Sequence, residues 1–78
     1  MRTIALLATT LVRAGHVRSF RVHPAHPAGW EASEREDQHV IRQEYTDWHR
    51  AERALAQFRR KIAILHEQGW RDPMNALI

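Results

Sequence analysis

The chain has 78 residues, 44% of them hydrophobic and 27% charged, which describes one small folded domain and excludes a second one. Its 12 Lys and Arg residues against 9 Asp and Glu residues give a net charge of +3, too mild an excess for a histone-like polycation. The absence of cysteine excludes a disulfide framework, a thiolate nucleophile and a Cys-based metal centre.

The N-terminal segment, residues 1–16, is apolar and carries no charge between residues 3 and 12. Its composition favours either a strand or a short helix that packs on the core. It is far shorter than the roughly 20 apolar residues of a membrane-spanning helix, so no transmembrane segment is predicted. We expect a cytoplasmic protein. The alternative is a secreted or periplasmic protein whose residues 1–14 are a signal peptide, with Arg13 where a small residue is preferred.

Residues 17–45 alternate between apolar and polar side chains in three stretches, at residues 17–23, 30–35 and 39–45. This period of two is typical of half-buried strands. Two prolines and a glycine connect the first two stretches, and a polar turn connects the last two. The pattern therefore predicts a three-stranded antiparallel meander.

The alternation assigns each side chain of the meander to a face. One face carries apolar residues, namely Phe20, Val22, Trp30, Ala32, Ile41 and Tyr45. The other carries polar and charged residues, namely Arg21, His23, Glu31, Ser33, Arg35, Arg42 and Glu44. Only the first face is expected to lie against the rest of the domain.

From Thr46 onward the apolar period changes to that of a helix, which predicts a helix over residues 46–68 and a tail over residues 69–78. Thr46 or Asp47 is a suitable N-cap. Gly69 is expected to end the helix in a left-handed conformation that brings Trp70 back onto Leu65 in a Schellman motif. The apolar stripe is too short for a coiled coil, so we expect it to pack across the sheet.

These elements predict an α+β fold in which an antiparallel sheet packs against one long C-terminal helix. The sheet has three strands, with the N-terminal segment as a fourth element if it joins them. The expected core consists of Phe20, Val22, Trp30, Ile41, Tyr45, Trp48, Ala51, Leu55, Phe58, Ile62 and Leu65.

The sequence predicts a protein that is not an enzyme and that holds no metal or cofactor. His23 and His26 stand three apart on a proline-restrained connector, and His49 lies on the helix, but no His-Glu-x-x-His pattern accompanies them. Ser19 and Ser33 lie in strand patterns without a nucleophile elbow. No glycine-rich loop that could cradle phosphates occurs.

Opposite its apolar stripe, the helix carries the cations Arg50, Arg53, Arg60 and Lys61. Guanidinium groups bind phosphate oxygens through two parallel hydrogen bonds, so this face predicts contact with nucleic acid or another polyanion. Arg35 and Arg42 would extend the patch if they pointed the same way. The alternative is an ordinary solvated helix face.

A second function class is protein-protein interaction or homodimerisation without any role in nucleic-acid binding. Ile64 projects from the polar side of the helix, and the tail ends in the apolar residues Leu77 and Ile78. A small domain gains burial by association, so these three residues are a candidate partner surface. The alternative is that the tail and the N-terminal segment cover each other within one chain.

The residues Tyr45-Thr46-Asp47, Ala54, Phe58 and Gly69-Trp70 resemble the closing helix of WGR domains, which are small sheet-and-helix modules associated with nucleic acid. The resemblance covers about a third of the chain, and the Trp-Gly-Arg motif of that family does not occur. It implies an association with DNA. The general layout is also similar to small bacterial proteins of unknown function.

Overall fold

A computed structural model describes residues 5–73 and shows four strands followed by one helix. The elements are β1 (Leu7–Arg13), β2 (His16–Pro24), β3 (Trp30–Glu36), β4 (His39–Tyr45) and α1 (Trp48–Glu67). The strands form one antiparallel sheet in the order β1-β2-β3-β4, and α1 packs against one face of it. The α+β class is confirmed, and the sheet has four strands because the N-terminal segment joins the meander.

The N-terminal segment forms a strand because a tight hairpin folds it back onto β2. Arg13 pairs with His16, and the two loop residues between them, Ala14 and Gly15, have φ values of 50° and 81°. Positive φ at both loop residues matches the right-handed twist of the flanking strands. The hairpin places Leu11 in the core with 1% of its surface exposed.

The core lies between α1 and one face of the sheet. Phe20 and Val22 of β2 are fully buried, and the Phe20 ring meets Phe58 of α1 edge-on, with the ring centroids 5.2 Å apart. Such an edge-to-face pair adds to the stabilisation from apolar burial. Ala32 of β3 and Ala54 of α1 are also buried, and their small side chains let the helix lie close to the sheet.

Two residues of the expected core are exposed, which corrects the prediction for them. Ile41 is 53% exposed because β4 is an edge strand and α1 packs mainly against β2 and β3. Trp48 is 39% exposed because the first residue of α1 lies at the rim of the core, where its ring contacts Trp30. Trp30, Tyr45 and Ile62 are half-buried. The remaining expected positions are buried, together with Ala32, which the alternation places on the apolar face, and with Leu11 and Ala54.

Both ends of α1 are fixed by the predicted signals. The side chain of Asp47 accepts a hydrogen bond from the backbone amide of His49, as an N-cap does. Gly69 has a φ of 95°, and the amide of Trp70 donates to the carbonyl of Leu65 at 2.9 Å. This is the expected Schellman motif. The helix is thus one to two residues shorter at each end than the predicted range 46–68.

No helix among residues 5–73 is both long and apolar enough to cross a membrane.

Candidate functional site

The helix cations that the sequence singles out do not all face the same direction. Arg50, Arg53 and Arg60 are exposed, and none of the three forms an ion pair or a side-chain hydrogen bond with another residue of the range 5–73. At 100° per residue, Arg53 and Arg60 point away from the sheet and lie about 10 Å apart along the helix axis. These three arginines diverge from a convex surface.

Lys61, the fourth cation of that set, turns toward the sheet instead. Its Nζ donates to a carboxylate oxygen of Glu34 at 2.9 Å. The other oxygen of Glu34 accepts from Arg18 at 2.7 Å, and the guanidinium of Arg18 lies 5.4 Å from the centre of the Phe20 ring. Since Arg18 and Glu34 are only 20% and 18% exposed, this cluster connects helix to sheet and is structural in character.

The candidate partner surface is described only in part. Ile64 is 52% exposed on α1, as the helix angle predicts. Leu77 and Ile78 lie outside the described residues. The N-terminal segment does not contribute an apolar surface at Leu11, which is buried within the chain.

The structure places Arg35 and Arg42 on the opposite side of the molecule from the helix. Side chains of the sheet alternate between the covered face and an open face, and Ala32 and Glu34 of β3 lie on the covered one. Arg35 of β3 and Arg42 of β4 therefore lie on the open face, together with Arg21 of β2. They do not extend the helix patch.

We call Arg21, Arg35 and Arg42 the sheet arginine cluster. In the strand register, Arg21 and Arg42 both pair with Ser33, one from each side, so their Cα atoms are about 10 Å apart. Arg35 lies two residues further along β3, about 7 Å from Ser33. The three arginines thus come from three adjacent strands and line one surface beside Ser33.

The cluster lines a shallow concavity of about 480 Å³ on the open face. Thr10, Ser19 and Ser33 contribute hydroxyl groups to its surface, and the hydroxyl oxygens of Thr10 and Ser19 are 3.2 Å apart. Guanidinium groups and hydroxyls are the donors that bind phosphate oxygens. The concavity therefore has the chemistry of an anion site and no aromatic wall.

No arginine of this cluster forms an ion pair with a carboxylate within residues 5–73. The charge of Arg35 nevertheless contributes to lowering the pKa of Asp37. Arg21 and Arg42 have no ion pair or side-chain hydrogen bond there, and the one such bond of Arg35 runs from its Nε to the backbone carbonyl of Asp37. Glu31 and Glu44, which pair with each other in register, border the cluster at one end.

Asp37 connects the two hairpins at the end of the open face. Its carboxylate accepts hydrogen bonds from the ring of His16 and from the backbone amide of Val17, both at 2.9 Å. These two hydrogen bonds, that from His16 above all, lower the pKa of Asp37 below its ordinary value. The contact fixes the β3-β4 turn against β2.

The histidines do not gather around a common point. His23 lies 3.4 Å from a carboxylate oxygen of Glu31 and hydrogen-bonds the carbonyl of Pro24, whereas His26 and His49 are exposed. In the described range 5–73, no three His, Asp or Glu side chains group as a metal ion requires.

Comparison of the chain with protein-family models, with curated proteins and with solved structures finds no match. The resemblance of the helix to WGR domains therefore stays a prediction.

The sequence contains one signal for the sheet arginine cluster, namely the alternation of polar and apolar residues in the strands. The period-two alternation already assigns Arg21, Arg35 and Arg42 to one non-core face. Spatial convergence depends on the register between strands, which sets Arg21 and Arg42 on either side of Ser33. The sequence of a single strand does not determine that register.

Proposed function

We propose that this protein is a non-enzymatic module that binds the phosphate backbone of nucleic acid through the open face of its sheet. The observation that carries the proposal is that three arginines, none of them in an ion pair with a carboxylate among residues 5–73, line one concavity. Three adjacent strands hold these arginines, so the spacing of their Cα atoms is fixed before a ligand binds. A preorganised site loses less conformational entropy on binding.

The chemistry of the open face favours binding without sequence preference. Its side chains in the described strands are small, polar, aliphatic or charged and include no Phe, Tyr or Trp, and its one imidazole, that of His23, lies 3.4 Å from a carboxylate oxygen of Glu31. Phosphate contacts fix the position of a protein on nucleic acid but do not read bases. We therefore expect similar affinities for unrelated sequences of equal length.

The helix arginines Arg50, Arg53 and Arg60 are a second candidate surface for the same ligand, because they are equally free of carboxylate partners in the described chain. The two surfaces lie on opposite sides of the domain, so one phosphate backbone contacts either the sheet or the helix. Two matched double variants separate them.

The experiment measures affinity for duplex DNA as a function of salt concentration in three proteins. The native chain should show a log-log slope of about −2.7 if three cations each release a counterion. Arg21→Gln/Arg35→Gln should weaken binding and flatten the slope by about two units, whereas Arg53→Gln/Arg60→Gln should leave both nearly unchanged. Each pair changes the net charge equally, from +3 to 3 − 2 = +1, so a general charge effect cancels.

Two results would contradict the proposal. No binding of the native chain to DNA or RNA at about 50 mM salt would eliminate the function itself. A flattened slope for the helix variant alone would keep the function but move the site to α1. All four replaced arginines are exposed, so each variant should keep its thermal midpoint within a few degrees.

A further inference from the structure

The two edges of the sheet differ in how they are covered. At the outer edge of β1, the amide and carbonyl of Val12 exchange hydrogen bonds with Arg71, at 2.8 and 3.0 Å. The outer edge of β4 has no strand or backbone partner within residues 5–73. Six of the seven β4 residues are exposed, and neither a proline nor a bulge interrupts the strand. Uncovered edges of this kind pair readily with another strand.

The backbone groups that β4 offers at this edge follow from the pairing pattern. In an antiparallel ladder, alternate residues direct both amide and carbonyl to the same neighbour. The backbone amide and carbonyl of Val12 point away from β2, toward Arg71. The register of the three strand pairs then shows, strand by strand, which residues bond to which neighbour. Odd-numbered β4 residues bond to β3, so Val40, Arg42 and Glu44 present their amides and carbonyls outward.

The side chains along this edge are partly apolar and otherwise of alternating charge. Ile41 is the most exposed large hydrophobic residue described, and Val40 beside it is 44% exposed. Arg42 and Glu44 carry opposite charges two residues apart on the open face. A partner strand for this edge needs an apolar residue opposite Ile41 and the reverse order of charges opposite Arg42 and Glu44.

We propose that β4 pairs with β4 of a second copy of this chain, antiparallel about a twofold axis at Gln43. In this register Arg42 of each copy faces Glu44 of the other, and Ile41 faces Tyr45, with each pairing occurring twice by symmetry. Arg42 and Glu44 both direct their backbone groups outward, so each of the two pairs forms two hydrogen bonds. In the antiparallel orientation, β4 of the second copy therefore supplies both the apolar residue opposite Ile41 and the reversed order of charges opposite Arg42 and Glu44.

Neighbouring registers are less complementary. An axis at Arg42 places two arginines opposite each other, and like charges at directly opposed positions are destabilising. An axis at Ile41 sets Val40 opposite Arg42 and leaves Glu44 opposite Gln38, so no opposite charges meet. Charge complementarity therefore selects the axis at Gln43.

The proposed dimer is a continuous eight-stranded sheet with both helices on one face and both arginine clusters on the other. In this dimer Arg42 of each copy forms an ion pair with Glu44 of the other copy. The same ion pair neutralises Glu44, one of the two carboxylates at the border of the cluster. Arg21 and Arg35 have no ion pair with a carboxylate within residues 5–73 of their own chain, so one ligand can contact four guanidinium groups across the seam. The dimer does not depend on the proposed binding of nucleic acid.

A charge exchange tests the register. Glu44→Arg or Arg42→Glu alone places like charges opposite each other twice per dimer and should weaken association about 10- to 50-fold. The double variant Arg42→Glu/Glu44→Arg restores opposite charges and should restore association. Mass is measured by sedimentation equilibrium from about 10 to 300 µM chain, with Ile64→Gln as a control that should leave it unchanged.

Amide hydrogen exchange gives a second measurement on the native chain alone. The amides of Arg42 and Glu44 should exchange more slowly as protein concentration rises, whereas that of Gln43, already bonded to β3, should change little. A single-chain mass at every concentration would overturn the proposal. So would loss of the dimer in Ile64→Gln but in neither charge variant, because the interface would then lie on α1.

Discussion

Replacing Phe58 is the most direct test of how the helix is held on the sheet. Phe58 is 9% exposed, and its edge-on contact with Phe20 lies at the centre of the core. Phe58→Ala removes this contact and leaves a cavity, at a cost of about 3 to 5 kcal/mol. At about 0.05 to 0.15 kcal/mol per residue, a chain of this length has a total stability of about 4 to 12 kcal/mol. The alanine variant should therefore lose about a quarter or more of its stability and can unfold altogether.

Phe58→Leu keeps most of the buried volume and gives a measurable version of the same test. This variant should lower the free energy of unfolding by about 1 to 2 kcal/mol. A double-mutant cycle with Phe20→Leu should show a coupling free energy of about 0.5 to 1.5 kcal/mol from the lost aromatic pair. Urea unfolding followed by circular dichroism gives these values. Ile64→Ala, on the exposed side of α1, should change stability by less than about 0.5 kcal/mol. Equal effects of Phe58→Leu and Ile64→Ala, or no coupling with Phe20→Leu, would refute this packing.

Three further predictions concern particular contacts. Glu34→Gln should lower the free energy of unfolding by about 1 to 3 kcal/mol because it leaves the largely buried Arg18 without its carboxylate. Lys61→Gln, at the half-exposed end of the cluster, should lower it by less than about 1 kcal/mol. Equal urea midpoints of the two variants would contradict this structural role of Glu34. Ala14→Asn should stabilise the β1-β2 hairpin by about 0.5 to 1 kcal/mol, since asparagine tolerates the positive φ of this position better than alanine; a lower thermal midpoint would show that the turn is not limiting. The hydrogen bonds from His16 and Val17 hold the pKa of Asp37 below 3.8. Their stabilisation is therefore fully present above that pH and is lost as the pH falls through the lower pKa of the folded state. When the pH is lowered from about 6 to about 2, the thermal midpoint should fall less steeply in Asp37→Asn than in the native chain.

The helix could be predicted almost completely because its signals are local. Asp47 caps the first turn with its own side chain, and Gly69 and Trp70 end the last one. The strand bounds were also accessible, since β4 lies at residues 39–45 as the alternation predicts. Each of these features depends on residues within a few positions of one another.

Features that depend on distant contacts could not be predicted in the same way. Ile41 has the correct alternation for a core residue, but its exposure depends on where α1 crosses the sheet. The N-terminal strand depends on the turn at Ala14 and Gly15, and Ala-Gly is a weaker hairpin signal than Asn-Gly. Lys61 lies at the flank of the apolar stripe, about 20° from the buried Ala54 at 100° per residue, but its contact with Glu34 depends on where β3 passes the helix.

The two faces of the sheet handle positive charge differently, and this contrast supports the proposed site. On the covered face, the carboxylate of Glu34 forms ion pairs with both Arg18 and Lys61. On the open face, Arg21 and Arg42 flank Ser33 without any ion pair within residues 5–73. Cations held together on adjacent strands repel one another, and nearby anions would relieve that repulsion. A phosphate backbone, together with Glu44 of a second copy, would supply those anions at the positions where the chain provides none.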